Sequence, residues 1–519
     1  MTGTDLRDRP TRAPAHEVAG AGRLPPSALA AVLLMTAGWA LVGAWWIPRG
    51  PASTAESLTC LVVGLALGLA AGWLMRSWWS LLATPLVFAV VFEIARLPVD
   101  GPTVDRIHLS LSGIGALLTG RVFHAVVALT PMVWGAAVAV AWTRHQERPG
   151  PARALGSRLG RASGAAVLVL SGLVLVALTA VVARPASTEP ITGPDGEPLP
   201  GSVAELNTVD VNHHDLGLMI RGHDRDDPVL LFLAGGPGGS EVGAMRRHLP
   251  ALEEHFVVAT WDQRGTGRSY GELDPTDTLT LNSSVDDTLE VTDYLRERFD
   301  RDRIYLVGQS WGSTLGVLAA QAAPQKYSAF VGVGQMVSQR ETDQIYYDDT
   351  LAWAERTDRA ELAEELLEIG PPPYEDVANY ETVLLHEQEL YPYDHSPNSE
   401  GSGQMSENLF VQEYSFTEQV RILSGTLDTF AVLYPQLQEI DFREGATTFE
   451  VPVFFVQGAH EAPGRSHLFE QWYPLIDAPQ KDRIVMQTSG HRPLFEQPEA
   501  FVSYLTDVVV PSTTTSDPS

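Results

Sequence analysis

Apolar residues are distributed in two ways along this chain. Over the first 185 residues they form long, nearly unbroken runs. From about Val203 onward they recur as short runs between polar, helix-forming stretches. Five early runs, Ser27–Ile47, Leu58–Met75, Trp78–Ala95, Val122–Trp142 and Gly164–Ala183, approach the roughly 20 residues that cross a bilayer. A single run would suit a buried core helix, and the first alone would suit a cleaved signal peptide. Five together predict a multi-span membrane domain of about five helices over residues 27–184. Trp45, Trp46, Trp78, Trp79 and Trp142 stand at run ends, where indole favours the headgroup region. Leu109–Leu118 is apolar but short, and reads as an interfacial or re-entrant piece.

The later runs are β-rich. Val229–Leu233, Phe256–Trp261, Arg303–Val307, Ala329–Val333, Val451–Val456 and Arg483–Met486 read as buried strands with helical stretches between them. That alternation predicts an α/β fold over residues 203–510: a mostly parallel sheet with helices on both faces. Reactive residues then belong in loops at the carboxyl ends of strands. Residues 337–445 break the rhythm with Glu-rich, aromatic helical segments, the turn Gly370–Tyr374 and the loose stretch Ser396–Ser406. They read as a helical cap inserted before the last two strands. Residues 185–202, acidic and proline-rich, read as a linker and exposed tether, and residues 511–519 as a disordered tail.

Charge sharpens this division. The formal net charge is −29, yet residues 1–184 carry 15 arginines against 8 acidic residues, and the remainder carries 20 basic against 56 acidic. An acidic globular part argues against nucleic-acid binding. Arg7, Arg9, Arg12 and Arg23 lie in the leader (residues 1–26). Arg144, Arg148, Arg153, Arg158 and Arg161 lie between the fourth and fifth runs, and Arg76 in a short turn. The positive-inside bias makes all of these cytoplasmic. With five spans, everything after Ala183 is then extracytoplasmic. Glu93 and Arg96, one helical turn apart, read as an interfacial pair. No polar string suited to an ion path appears in the spans, so the membrane domain reads as an anchor in the lipid bilayer. The one cysteine, Cys60, lies in an apolar run. No intrachain disulfide and no thiol nucleophile in the globular part are therefore available.

Four motifs carry candidate chemistry. Gly308-Gln309-Ser310-Trp311-Gly312 follows an apolar run and precedes a helix-forming stretch, the strand–turn–helix setting that presents a serine nucleophile. Gly235-Gly236-Pro237-Gly238-Gly239 directly follows another strand. Its bare backbone allows N–H groups near Gly235 and Gly236 to approach a reacting carbonyl, with the N–H of Trp311 as the second donor. No Gly-Lys-Ser/Thr ending follows, which excludes a nucleotide loop. His491, in Ser489-Gly490-His491, follows the last strand and is the candidate general base; His460 is the rival. Glu461, just beyond the strand Val451–Val456, is the candidate acid, with Glu341 or Asp343 as fallback. In Asp262–Ser269 the charges are expected to brace the glycine loop through an Asp–Arg network.

Together these residues resemble the proline iminopeptidase (prolyl aminopeptidase) branch of the α/β-hydrolase superfamily. The match lies in Gly235–Gly238, Asp262–Ser269, Gly308–Gly312 and Gly490-His491, over roughly the last 300 residues and none of the membrane part. Ala234, Gln309 and Glu461 stand where that family commonly has His, Gly and Asp. The resemblance implies Ser310 as nucleophile, His491 as base, Gly236 and Trp311 as oxyanion donors, a substrate-selecting helical cap, and no metal or organic cofactor. The expected activity is that of a membrane-anchored peptidase acting on short peptides. An esterase or lipase-like hydrolase and a non-catalytic sensor or scaffold are the alternatives.

Overall fold

The computed structural model describes residues 26–105, 109–146, 155–391 and 404–514. The leader arginines, Arg148, Arg153, residues 396–403 of the loose stretch and residues 515–519 of the tail lie outside the described residues.

The chain forms two compact units. The first takes residues up to Ala44, Val62–Ile94 and Leu129–Leu173, and is helical. Among the described residues, four helices are long and apolar enough to cross a membrane: Ser27–Trp46, Thr54–Met75, Leu111–Gln146 and Ala162–Val182. Ser80–Ala95 is a shorter apolar helix. Small residues bring backbones together within this unit. A Cβ on Gly68 or Gly72 would collide with the carbonyls of Met132 and Ala136, the close approach that glycine permits between membrane helices. The short run expected as a separate piece is instead the first part of the 36-residue helix Leu111–Gln146, joined through a π turn over Leu118–Val122. The helix runs on through Pro131, and the Arg121 guanidinium at the π turn donates to the carbonyls of Thr103 (3.3 Å), Val104 (2.5 Å) and Asp105 (2.8 Å).

The second unit takes Trp45–Leu61, Ala95–Ala128 and Val174–Ser519. Its centre is an eight-stranded sheet of order β1-β2-β4-β3-β5-β6-β7-β8. The strands are β1 (Val203–Val211), β2 (His214–Gly222), β3 (Val229–Leu233), β4 (Val257–Trp261), β5 (Ile304–Gln309), β6 (Tyr327–Val333), β7 (Val453–Gly458) and β8 (Lys481–Met486). Strands β3 to β8 run parallel, and β2 pairs antiparallel with β1 and β4. Alternate residues point to opposite faces: Leu231, Leu233 and Leu306 join one hydrophobic cluster, and Leu230, Phe232 and Val307 the other. Both faces are thus buried, which is why the inner strands read as continuous apolar runs. The β1–β2 hairpin lacks such a run. β1 is an edge strand, mostly half-buried, and its turn uses Asn212 and His213, both at positive φ (51° and 69°).

Between β6 and β7, helices from Gln339–Arg356 to Phe442–Gly445 build the cap. The segment 185–202, expected as a linker and exposed tether, makes specific bonds. The Ser187 N–H donates to Gln412 O at 2.9 Å. Buried Arg221 donates to Thr188 Oγ1 at 2.7 Å and to Glu189 O at 2.6 Å. At the other end a helical turn extends to Thr514, with Thr513 Oγ1 2.7 Å from the Tyr305 hydroxyl. The first tail residues are therefore ordered.

Candidate active site

Ser310 lies between the end of β5 and the helix Trp311–Ala322. Its backbone has φ 53° and ψ −119°, a conformation costly for a residue with a Cβ and stable only where surroundings impose it. The flanking glycines make it feasible. A Cβ on Gly308 would strike the Gly312 carbonyl, and one on Gly312 would strike Leu233 O. The Ser310 N–H is tied to Val333 O at 3.0 Å, and the side chain is thrust out over the carboxyl edge of the sheet.

His491, in the loop after β8, reaches it. The Ser310 hydroxyl donates to His491 Nε2 at 2.9 Å, and His491 Nδ1–H donates to Glu461 Oε2 at 2.6 Å. Glu461 follows β7; its other oxygen accepts from the Ala462 N–H and from Arg465 Nε, each at 2.8 Å. Its side chain is 1 % exposed. Burial alone would raise its pKa, but the Arg465 guanidinium and the His491 ring outweigh burial and hold it down at about 2. An ionised Glu461 can only accept, so the proton of the neutral imidazole resides on Nδ1 and Nε2 is left to take one from serine.

The other sequence candidates fall elsewhere. Asp343 is buried in the cap, accepting from Tyr434 Oη (2.6 Å), Gln438 Nε2 (2.8 Å) and Gln339 Nε2 (2.8 Å). Glu341 pairs with Arg443. The backbone N–H of His460 donates to Ser489 O at 3.0 Å.

The glycine loop lies beside Ser310: a Cβ on Gly235 would be 3.4 Å from the Ser310 Cβ. The Gly235 N–H is engaged, donating to Glu241 Oε2 at 3.1 Å. Glu241 also accepts from Arg492 Nη2 at 2.8 Å, so the residue after His491 is wired to the glycine loop. Trp311 opens its helix, where N–H groups have no intrahelical acceptor. Its indole donates to Gln263 Oε1 (2.8 Å), whose amide donates to Ala234 O (3.1 Å).

The charges of Asp262–Ser269 find partners inside and outside the segment. Arg264 binds Asp287 in a fork at 2.6–3.0 Å, while Asp262 accepts from Ser240 Oγ (2.5 Å), Tyr414 Oη (2.7 Å) and the Arg268 N–H (2.9 Å). Burial raises the Asp262 pKa against these bonds.

Residues 228–498 match the family described as alpha/beta hydrolase fold. The chain belongs to this family. Among relatives of this hydrolase is a protein named "Probable aminopeptidase YbaC" from Bacillus subtilis, 28 % identical over 305 residues, spanning 59 % of this chain and 96 % of that one. A proline iminopeptidase of Xylella fastidiosa is 33 % identical over 129 residues, 25 % of this chain and 38 % of that protein. The solved structure of a Mycobacterium smegmatis proline iminopeptidase aligns with a TM-score of 0.41 at 20 % identity, over 60 % of this chain and 100 % of the other. Within its family the hydrolase resembles the proline iminopeptidase branch.

Three charged residues of this candidate site carry little or no signal in the sequence. Arg465 lies one helical turn after Glu461, a weak signal in a chain with many arginines. Glu241 and the cap residue Glu387 gave none. Glu387 accepts from Tyr346 Oη at 2.9 Å and pairs with Arg465. Burial opposes its charge, but Arg465 and then His491 lower its pKa overall.

Proposed function

We propose that this chain is a membrane-anchored serine hydrolase, a proline iminopeptidase-like aminopeptidase that releases N-terminal residues from short peptides. The observation that carries the proposal is the continuous relay Ser310–His491–Glu461, at 2.9 and 2.6 Å. His491 takes the Ser310 proton as Oγ attacks the scissile carbonyl. The oxyanion is held by the N–H groups of Gly236 and Trp311, since that of Gly235 is spent on Glu241. His491 then gives its proton to the leaving amine, and water, deprotonated by His491, releases the acyl group from Ser310. An anionic Glu387 beside this relay suits a substrate bearing a free, positively charged amine, as the aminopeptidase relatives also suggest.

The apolar helices support the anchoring. The loops after Trp46 and after Ala95 both belong to the unit that holds the sheet, where Arg49 pairs with Asp274 and Thr103 bonds Asp428. An even number of crossings must separate them, which favours Ser80–Ala95 crossing along with Thr54–Met75. The turn at Arg76 and the helix segments that carry Arg144, Arg158 and Arg161 then share the opposite side. The positive-inside bias makes that side cytoplasmic and the hydrolase extracytoplasmic.

The test is fluorophosphonate labelling of the full chain, followed by a panel of prolyl and alanyl arylamides against acyl esters. Labelling lost in Ser310→Ala together with arylamide turnover supports the reading. Turnover of esters alone replaces it with an esterase, and absence of labelling in the wild type removes catalysis.

A further inference from the structure

One cap helix, Phe416–Leu437, is contacted along two stripes. Thr417, Arg421 and Asp428 lie on one side, at intervals of four and seven residues. Thr417 Oγ1 is 2.8 Å from Thr54 Oγ1. Arg421 Nε donates to Pro51 O at 3.2 Å and pairs with Glu56 at 3.6 Å. Asp428 is 1 % exposed and takes most of its partners from the two inter-helix loops: the Thr103 N–H (3.0 Å), Thr103 Oγ1 (2.6 Å) and the Arg49 guanidinium (3.4 Å). The Tyr270 hydroxyl bridges Asp428 Oδ2 (2.6 Å) and Gly50 O (2.9 Å). Arg49 itself is fixed by Asp274 and by Asp100 O at 2.6 Å.

The other stripe, Gly425 and Thr429, faces the catalytic loops. Gly425 is flush with the oxyanion loop: a Cβ on Gly238 (φ +93°) would strike the Gly425 carbonyl. A Cβ on Gly425 would lie 2.9 Å from Gly265 O, and Thr429 Oγ1 donates to that same oxygen at 2.6 Å. Backbone meets backbone here without a compliant side chain between, so a displacement of the helix is passed on to the glycine loop undamped.

We propose that the two inter-helix loops, through Arg49 and Thr103 on Asp428, are positioning elements for catalysis that hold the cap helix in register against Gly238 and so set the oxyanion loop. This rests on the serine-hydrolase reading above and goes beyond it. On this view the two loops are part of the enzyme's working structure.

The experiment compares the full chain in detergent micelles as wild type, Arg49→Met, Arg49→Lys and Thr103→Val. Each is measured for kcat and KM on a chromogenic substrate, for fluorophosphonate labelling rate, and for Tm. The misplacement should lower kcat and labelling rate about tenfold in Arg49→Met and about threefold in Thr103→Val, with KM within about twofold, and Arg49→Lys should recover part of the loss. If kcat and labelling in both deleted variants stay within about twofold of wild type, whatever the Tm, the loops only anchor and the inference is overturned. Should Arg49→Met fail to fold, Thr103→Val decides alone, since it removes one hydroxyl and keeps the shape. A wild type that takes no label fails differently: it removes the catalytic reading itself.

Discussion

Glu461→Gln is the most searching perturbation of the relay. The carboxylate lies 2.6 Å from His491 Nδ1 and is braced by Arg465 at 2.8 Å. Its pKa of about 2, against 4.5 for the free group, corresponds to about 3 kcal/mol favouring the ionised form. The imidazolium that forms during attack draws on that charge. Two unit charges ~4 Å apart at an effective dielectric of about 20 attract by about 4 kcal/mol, roughly 10³ in rate. A glutamine amide also offers N–H to Nδ1 and favours the wrong tautomer, so the expected fall in kcat is about 10³ to 10⁴, with KM changed by less than about threefold. The assay is steady-state turnover alongside labelling rate, with circular dichroism to confirm folding. The linkage has a definite sign. A depressed carboxylate pKa adds stability that is present above the unfolded value near 4.5 and lost as pH falls toward 2. The Gln variant should therefore show a flatter stability profile in that window. A folded Glu461→Gln protein retaining more than about a tenth of wild-type kcat would refute the assignment of Glu461 as the acid.

Three further outcomes are expected. Asp343 is raised by burial from 3.8 to about 6, against hydrogen bonds from Tyr434, Gln438 and Gln339. Its stability contribution is full below about pH 3.8 and shrinks as pH rises through 6, by up to about 3 kcal/mol; denaturant titrations of Asp343→Asn should lack that slope. Glu387→Gln should raise KM for substrates with a free amine at least about fivefold while leaving N-acylated analogues within about twofold, and equal effects on both would remove Glu387 from amine recognition. Gly312→Ala drives a methyl into Leu233 O and should lower Tm and abolish labelling, at a cost of about 1–3 kcal/mol; near-normal activity would mean the elbow is looser than described.

How much of this was legible in the sequence depended on whether the signal was local. Each inner strand is buried on both faces, so Val229–Leu233 and its neighbours announce themselves as apolar runs. The hairpin β1–β2 did not, because its edge strand is half-buried and its Asn212-His213 turn lacks the glycine that usually marks such turns. Ser310 and His491 stood out because strain and chain order demand particular neighbours. Glu461 could be proposed only from its place after β7. Glu241 and Glu387 were invisible because their roles come from partners far away in sequence, Arg492 for one and Arg465 for the other. The bonds from Arg49 and Thr103 to Asp428 span more than 300 residues, and no periodicity encodes them.

The doubly contacted cap helix has a consequence for inheritance. Thr417, Arg421 and Asp428 share their surfaces with Thr54, Pro51, Arg49 and Thr103, so drift in one group exposes the other to selection. Lineages that keep the helical third should exchange these residues in concert, as partners in a single interface. Lineages that never acquired it are free to vary the same helix face as ordinary surface. Comparing the two would show whether the fusion joined two independent proteins or produced one inseparable unit of descent.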